Sequence, residues 1–209
     1  MMKLYGYPPT RSLRVVWTLR ELDVAFDFVT VNPGKGELRR PEFLALNPAA
    51  KVPVLVDGDL VLTESVAIVL YLAAKYPEKR MLPTGLRERA EFDRWLLFTA
   101  TELEQPLWRI ARNTNVYPPE KRVPADIPIA RQDFLDMAAV LERHMEDRQF
   151  LVGQTVTVAD FVAAYTLDMA SLIPSLLDGF PRLRDYLNRM VARPKAPPRI
   201  AEAFASLGR

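Results

Sequence analysis

The 209-residue sequence contains no cysteine, which excludes structural disulfides, thiolate metal sites and a protein thiol nucleophile. Histidine is almost as scarce. His144 is the only one, so a His-based triad would have to use it, yet it lies in the charged stretch LERHMED, which reads as a surface or partly packed helix position. No metal site is expected. Long apolar runs are missing too: the stretch from Ala67 to Ala74 is too short to span a bilayer. The opening MMKLYGYPP is too brief, and too soon broken by prolines, for a secretory signal. Nor is charge of one sign concentrated anywhere. A net charge of +2 spread along the chain argues against nucleic-acid and membrane-surface partners, which call for a basic face. These absences predict a soluble cytoplasmic protein.

What is present divides into two halves. Residues 1–77 mix strand and helix signals. KLYG reads as a strand, and Ser12 to Leu22 puts Val15, Val16, Leu19 and Leu22 on one helix face. FDFVTV alternates as a strand does, and VPVLV and LVLT flank the turn signal Asp57-Gly58-Asp59. ESVAIVLYLAAKY reads as a helix ending before Pro77. The order strand, helix, strand, short helix, hairpin, helix predicts a small α/β domain with a mixed sheet. Residues 78–86 read as a linker, with Pro83 and Gly85 in it. Residues 87–209 carry helical patterns nearly throughout, at 86–114, 126–148, 158–173, 181–192 and 199–206, separated by breakers such as Pro118-Pro119, Gly153 and Pro174. An all-helical second domain follows.

Two local motifs carry chemistry. In Lys51-Val52-Pro53-Val54-Leu55 a proline opens a strand, where it belongs at an edge or at a special backbone geometry such as a cis bond. Such a bend exposes the Val52 amide and carbonyl to an extended peptide, although a simple edge-strand proline reads the same way. In Thr63-Glu64-Ser65 a serine opens a helix whose free N–H groups and dipole suit a carboxylate, while Glu64 can accept from an ammonium group. A plain helix cap is the alternative.

Together the two motifs, in NPAAKVPVLVDGDLVLTESVAIVLYLAAKYP, closely resemble the glutathione-binding stretch of the soluble, cytosolic-type glutathione transferases. FLVGQTVTVADFVAA, with its Thr157-to-Asp160 capping box, and FPRLRDYLNRMVARPKAPP resemble that family's helical domain, so the likeness covers nearly the whole chain. The resemblance implies a thioredoxin-like N-terminal domain, an all-α helical-bundle C-terminal domain, and glutathione as co-substrate. It carries Val52, Pro53, Glu64 and Ser65 over as glutathione contacts, Lys51 as a partner for a peptide carboxylate, and Arg39 and Arg40 as basic residues near the glycine carboxylate. A homodimer, a detoxification role and a bacterial source are implied with it.

The family's chemistry needs the glutathione thiol held as a thiolate. Lowering a thiol pKa near 8.5 by about two units takes roughly 2.7 kcal/mol of preferential stabilisation. Aligning Arg14-Val15 with the family's Arg-Val puts Thr10 where the serine-type classes keep their catalytic serine. Aligning Ser12-Leu13 with the cysteine-type classes puts Arg11 at their cysteine. The resemblance therefore implies a serine/threonine-type site, with Thr10 first among the thiolate-stabilising candidates and Ser12 and Arg11 behind it. Ser12 also reads as an N-cap of the first helix. The electrophile is expected between the domains, with Tyr7, Trp108, Arg109, Arg112, Asn113, Tyr117 and Tyr165 as candidate lining residues. Arg109 and Arg112, three apart on one helix face, would favour an anionic or carbonyl-bearing substrate. The expected activity is conjugation of glutathione to small electrophiles. A glutathione-dependent disulfide reductase or peroxidase and a non-catalytic binding module are the alternatives.

Overall fold

The structure, a computed structural model, describes residues 1–207. The described chain divides into two compact units, one formed by residues 1–82 with 191–207 and the other by residues 83–190.

The first unit is built on a four-stranded sheet in the order β2-β1-β3-β4, from β1 (Met2–Gly6), β2 (Phe26–Thr30), β3 (Val54–Asp57) and β4 (Leu60–Thr63). β1 runs parallel to β2 and antiparallel to β3, and β3 pairs antiparallel with β4. The β3–β4 connection is the two-residue turn Gly58-Asp59, in which Gly58 has φ of 64°, a left-handed value that glycine adopts without steric cost. Helix α1 (Ser12–Glu21) links the parallel strands, and α2 (Pro41–Leu44) and α3 (Ser65–Lys75) complete the set. Leu4, Val15, Leu19, Val54, Leu55, Ile68, Val69 and Leu72, all inaccessible to solvent, form the core. Both sheet edges, β2 and β4, are less buried than the central strands, as edge strands with one covered face are.

Residues 191–207, which include helix α9 (Ile200–Leu207), fold with this unit rather than with the preceding helices. The sequence reading put them in the helical domain because their pattern is helical. Polar contacts tie them to the first unit, where Ile200 and Ala203 are also buried: Arg193 makes a two-pronged pair with Glu21 (2.7 and 2.9 Å), Lys195 pairs with Asp23, and Arg20 donates to the Ala196 carbonyl. Lys195 together with Lys79 pulls the Asp23 carboxyl down to about 2.

In the second unit, α4 (Leu86–Phe98) and α5 (Glu104–Ala111) form one helical rod, interrupted by a π-helical segment at Thr99–Leu103 and ended by another at Arg112–Val116. Pro106 explains the first interruption. Its nitrogen has no hydrogen to donate and its ring crowds the carbonyl four residues back, that of Glu102. Helices α6 (Asp126–His144), α7 (Val158–Ser171) and α8 (Pro181–Val191) follow. α7 is buried on almost every face, so it is the helix around which the others pack.

The start of α7 is a capping box: the Thr157 side chain receives the Asp160 amide, and the Asp160 carboxylate receives the Thr157 amide at 2.8 Å. The same carboxylate, with no solvent exposure, also accepts from the Leu151 amide (2.8 Å), the Thr157 hydroxyl (2.9 Å) and the Tyr186 hydroxyl (2.9 Å). Burial pushes the Asp160 carboxyl up, against hydrogen bonds that favour its ionised form. A cap of this kind contributes roughly 1–2 kcal/mol. His144 is half-buried at the end of α6, stacked on Trp95 at 3.8 Å between ring centres. Its Nε2 lies 2.8 Å from the Leu151 carbonyl, which can only accept, so the proton sits on Nε2. Among the described residues no helix is long and apolar enough to cross a membrane.

Candidate functional site

Strand register decides which parts of the first unit meet. Tyr5 of β1 pairs with Val54 of β3, and Val54 pairs with Thr63 of β4. Because both pairings are antiparallel, the end of β1, the start of β3 and the end of β4 lie at one end of the sheet. The segment after Tyr5, the Val52-Pro53 bond and the Glu64-Ser65 pair are thereby gathered from three places in the sequence.

After β1 the chain turns through Tyr7-Pro8-Pro9-Thr10 into α1. The turn is closed by the Thr10 amide and hydroxyl, both donating to the Tyr7 carbonyl at 3.1 and 2.7 Å. The Thr10 and Ser12 hydroxyls lie 2.8 Å apart. Ser12 is wholly buried and its oxygen accepts from the Tyr7 amide at 3.3 Å. Since Thr10 gives its hydrogen to Tyr7, Ser12 gives its own to Thr10. Ser12 is the first residue of α1 rather than its cap; Arg11, partly exposed, holds the cap position, and its side chain makes no capping bond. Gly6 makes room for this arrangement, because a Cβ there would come within 2.7 Å of Ser12 Oγ.

At the start of β3 the Val52-Pro53 peptide bond is cis. Asn47, buried, holds the loop before it by accepting from the Ala49 amide (3.0 Å) and donating to the Lys51 carbonyl (2.7 Å). Val52 lies outside the strand ladder, which begins at Val54, and its side chain joins Tyr5, Leu38 and Leu46 around Val31, Phe43 and Val54. Lys51, Arg39 and Arg40 are exposed, and Arg40 pairs with Glu37 at 3.4 Å.

Glu64 precedes α3 with φ of 65°, a left-handed conformation that costs a non-glycine residue about 1–3 kcal/mol and is kept where the surroundings impose it. Its side chain does not cap the helix, so the first turn of α3 keeps its amide donors and the positive end of its dipole for another acceptor. Ser65 is buried, and its oxygen receives a hydrogen bond at 3.3 Å from Arg14, itself only 1% exposed on α1.

The residues suggested for an electrophile site all lie on the second unit except Tyr7, which is partly buried on the first. Arg109 is bound to Asp126 through two nitrogens and to Asp133 through a third contact, which raises its pKa and lowers that of Asp126. Asn113 donates to Asp126 at 3.1 Å and accepts from the Val123 amide at 3.0 Å. Both therefore tie α5 and the following turn to α6. Arg112 instead lies over the Tyr117 ring, 5.7 Å from its centre, and both it and Trp108 are partly exposed. Tyr165 is buried in α7. A separate cavity of about 210 Å³, lined by Thr101, Glu102, Gln105, Pro106, Asp133, Asp136 and Met137, includes none of the suggested residues.

Residues 1–74 match the family model described as glutathione S-transferase, N-terminal domain, and residues 111–194 match that for the C-terminal domain. Glutathione S-transferase F10 of Arabidopsis thaliana is 38% identical over 166 residues, 76% of this chain and 77% of the plant protein. The chain belongs to the glutathione S-transferase family. It is an enzyme of the transferase class. Among solved structures, a glutathione transferase of Phanerochaete chrysosporium with oxidized glutathione is 26% identical, with a TM-score of 0.88 over 100% of this chain and 97% of that one. A theta class glutathione S-transferase of Xanthomonas axonopodis pv. citri with glutathione bound is 28% identical, with a TM-score of 0.83 over 93% and 94%. The expected fold, a thioredoxin-like α/β domain with an all-helical one, is the transferase fold found here.

Two residues at this end of the transferase's sheet escaped the sequence reading. Asn47 carried a signal, an Asn-Pro pair ahead of a proline-opened strand, which marks a held turn. Arg14 served only to align the chain with the family. No sequence signal marked its burial, because in the structure every residue of α1 from Ser12 to Leu19 is buried, polar and apolar alike.

Proposed function

We propose that the protein conjugates reduced glutathione to small electrophiles, binding the tripeptide at this end of the sheet and activating its thiol as a thiolate, in the serine/threonine manner. The uncapped start of α3 carries this reading. Glu64 in its left-handed conformation and the buried Ser65 leave amide donors, a hydroxyl and a helix dipole converging where the γ-glutamyl carboxylate would bind, with Glu64 to accept from its ammonium group. Val52 then pairs with the peptide backbone as an added strand would. Lys51 and the Arg39-Arg40 pair, all exposed, supply positive charge for the glycine carboxylate.

At the thiol, Thr10 is the donor. Turning its hydroxyl from the Tyr7 carbonyl to the sulfur leaves that carbonyl still bonded to the Thr10 amide, so little is lost. Ser12 continues to donate to Thr10 from behind and strengthens its O–H as a donor. A hydrogen bond to an ionised group contributes about 1.5–3 kcal/mol, which supplies one to two units of the pKa lowering the chemistry needs. Arg11 adds positive charge at the same helix start. Trp108, Arg112, Tyr117 and Tyr165 are the groups of the second unit that we assign to the electrophile, with Arg109 and Asn113 holding α5 and the following turn against α6. A cytoplasmic homodimer acting in detoxification, from a bacterial source, completes the reading.

Calorimetric titration of glutathione into wild-type protein and Ser65→Ala tests it. The variant is expected to bind about 10- to 100-fold more weakly, the loss of one hydrogen bond to a charged group. Equal affinity in the two proteins would remove Ser65 from the site.

A further inference from the structure

The hydrogen bond between Arg14 and Ser65 joins residues 51 apart in sequence, and both are buried. A serine that merely capped α3 would accept from an amide of that helix. Ser65 is instead the first residue within α3, and its oxygen accepts from Arg14. A guanidinium has donors and no acceptor, so the direction of this bond is fixed. The Ser65 oxygen is thereby engaged from the α1 side, and its single hydrogen is left to point elsewhere.

We infer that Arg14 is a positioning residue: it orients the Ser65 hydroxyl as a donor toward the γ-glutamyl carboxylate. The inference rests on the proposed glutathione site. Arg14 does so from a fixed base, because its carbonyl is held in the helix and also accepts from the Thr18 hydroxyl at 2.9 Å. Its charge, behind Ser65 in a region closed to water, adds attraction for the same carboxylate. Thr10 stands at the mouth of α1 and Arg14 one turn further along, so a single helix serves two parts of the tripeptide: the cysteinyl sulfur directly, and the γ-glutamyl group through Ser65.

The test is a double-mutant cycle for glutathione binding with Arg14→Met, Ser65→Ala and the pair, plus Arg14→Lys, which keeps a cationic donor and guards against misfolding of the methionine variant. Arg14→Met is expected to weaken glutathione about tenfold on its own and to add almost nothing in the Ser65→Ala background. In turnover, KM for glutathione rises more than kcat falls, and Arg14→Lys recovers part of the affinity. Effects of Arg14→Met and Ser65→Ala that simply multiply would overturn the inference, as would Arg14→Met binding like wild type. If wild type binds glutathione and Ser65→Ala weakens it while Arg14 is uncoupled, the site stands and only Arg14's role falls. Wild-type protein that binds no glutathione overturns both.

Discussion

The hydroxyls of Thr10 and Ser12 lie 2.8 Å apart, one partly exposed at the turn into α1 and the other sealed behind it. The outer hydroxyl is the one a ligand can reach, and the inner one sets its polarity by donating to it. Which of the two is dispensable can be measured.

Thr10→Val keeps the shape and removes the donor, and is expected to raise the pKa of bound glutathione by about one to two units. Thr10→Ser should hold it near the wild-type value. Ultraviolet titration of the bound thiolate reads both, and an unchanged pKa in Thr10→Val would assign the thiolate to another group.

Gly6→Ala puts a methyl group within 2.7 Å of Ser12 Oγ and 2.9 Å of Phe28 Cε2. Overpacking of this kind costs about 1–3 kcal/mol. Because Ser12 must move, turnover should fall along with stability. Urea unfolding and steady-state rates measured together check this, and a stable, fully active Gly6→Ala would mean that Ser12 shifts without consequence.

Asp160→Ala takes the carboxylate acceptor from the buried Leu151 and Thr157 amides, at about 1–3 kcal/mol for each group, and leaves the Tyr186 hydroxyl only its longer bond to the residue-160 carbonyl at 3.4 Å. Thr157→Ala, which removes only the cap hydroxyl, should cost about 1–2 kcal/mol. Urea denaturation should rank the two in that order. The reverse order would locate the stabilising acceptor somewhere other than Asp160.

Burial holds the pKa of His144 below its ordinary value. The unfolded chain then binds a proton more readily than the folded one between the depressed pKa and about 6.5. Stability therefore rises with pH through that window and falls on acidification. His144→Gln, which keeps an N–H donor but does not titrate, should lose this slope. Urea midpoints from pH 5 to 8 compare the two, and parallel curves would mean that His144 titrates alike in both states.

Much of this was legible in the sequence where the signal is local. The hairpin at Gly58, the box from Thr157 to Asp160 and the face of α1 each depend on residues a few positions apart, and each is found in the structure. What spacing could not show is a partner supplied by a distant segment. Arg109 and Arg112 share a helix face and look equivalent, yet Arg109 is taken up by Asp126 and Asp133 of α6 while Arg112 lies on Tyr117. Arg14 reads as a polar break in an apolar face, and its burial against Ser65 follows only once α1 and α3 are packed in one unit. The rod from Leu86 onward was expected to end at residue 114, and continues through a π-helical segment to Val116.

The first unit is sewn from both ends of the chain, with Arg193 and Lys195 clasping Glu21 and Asp23. On the ribosome, residues 1–82 emerge first and must wait while the whole of 83–190 is made before those clasps arrive. The glutathione half of the protein is thus begun first and finished last, and its final locking is deferred until the helical half has already been synthesised.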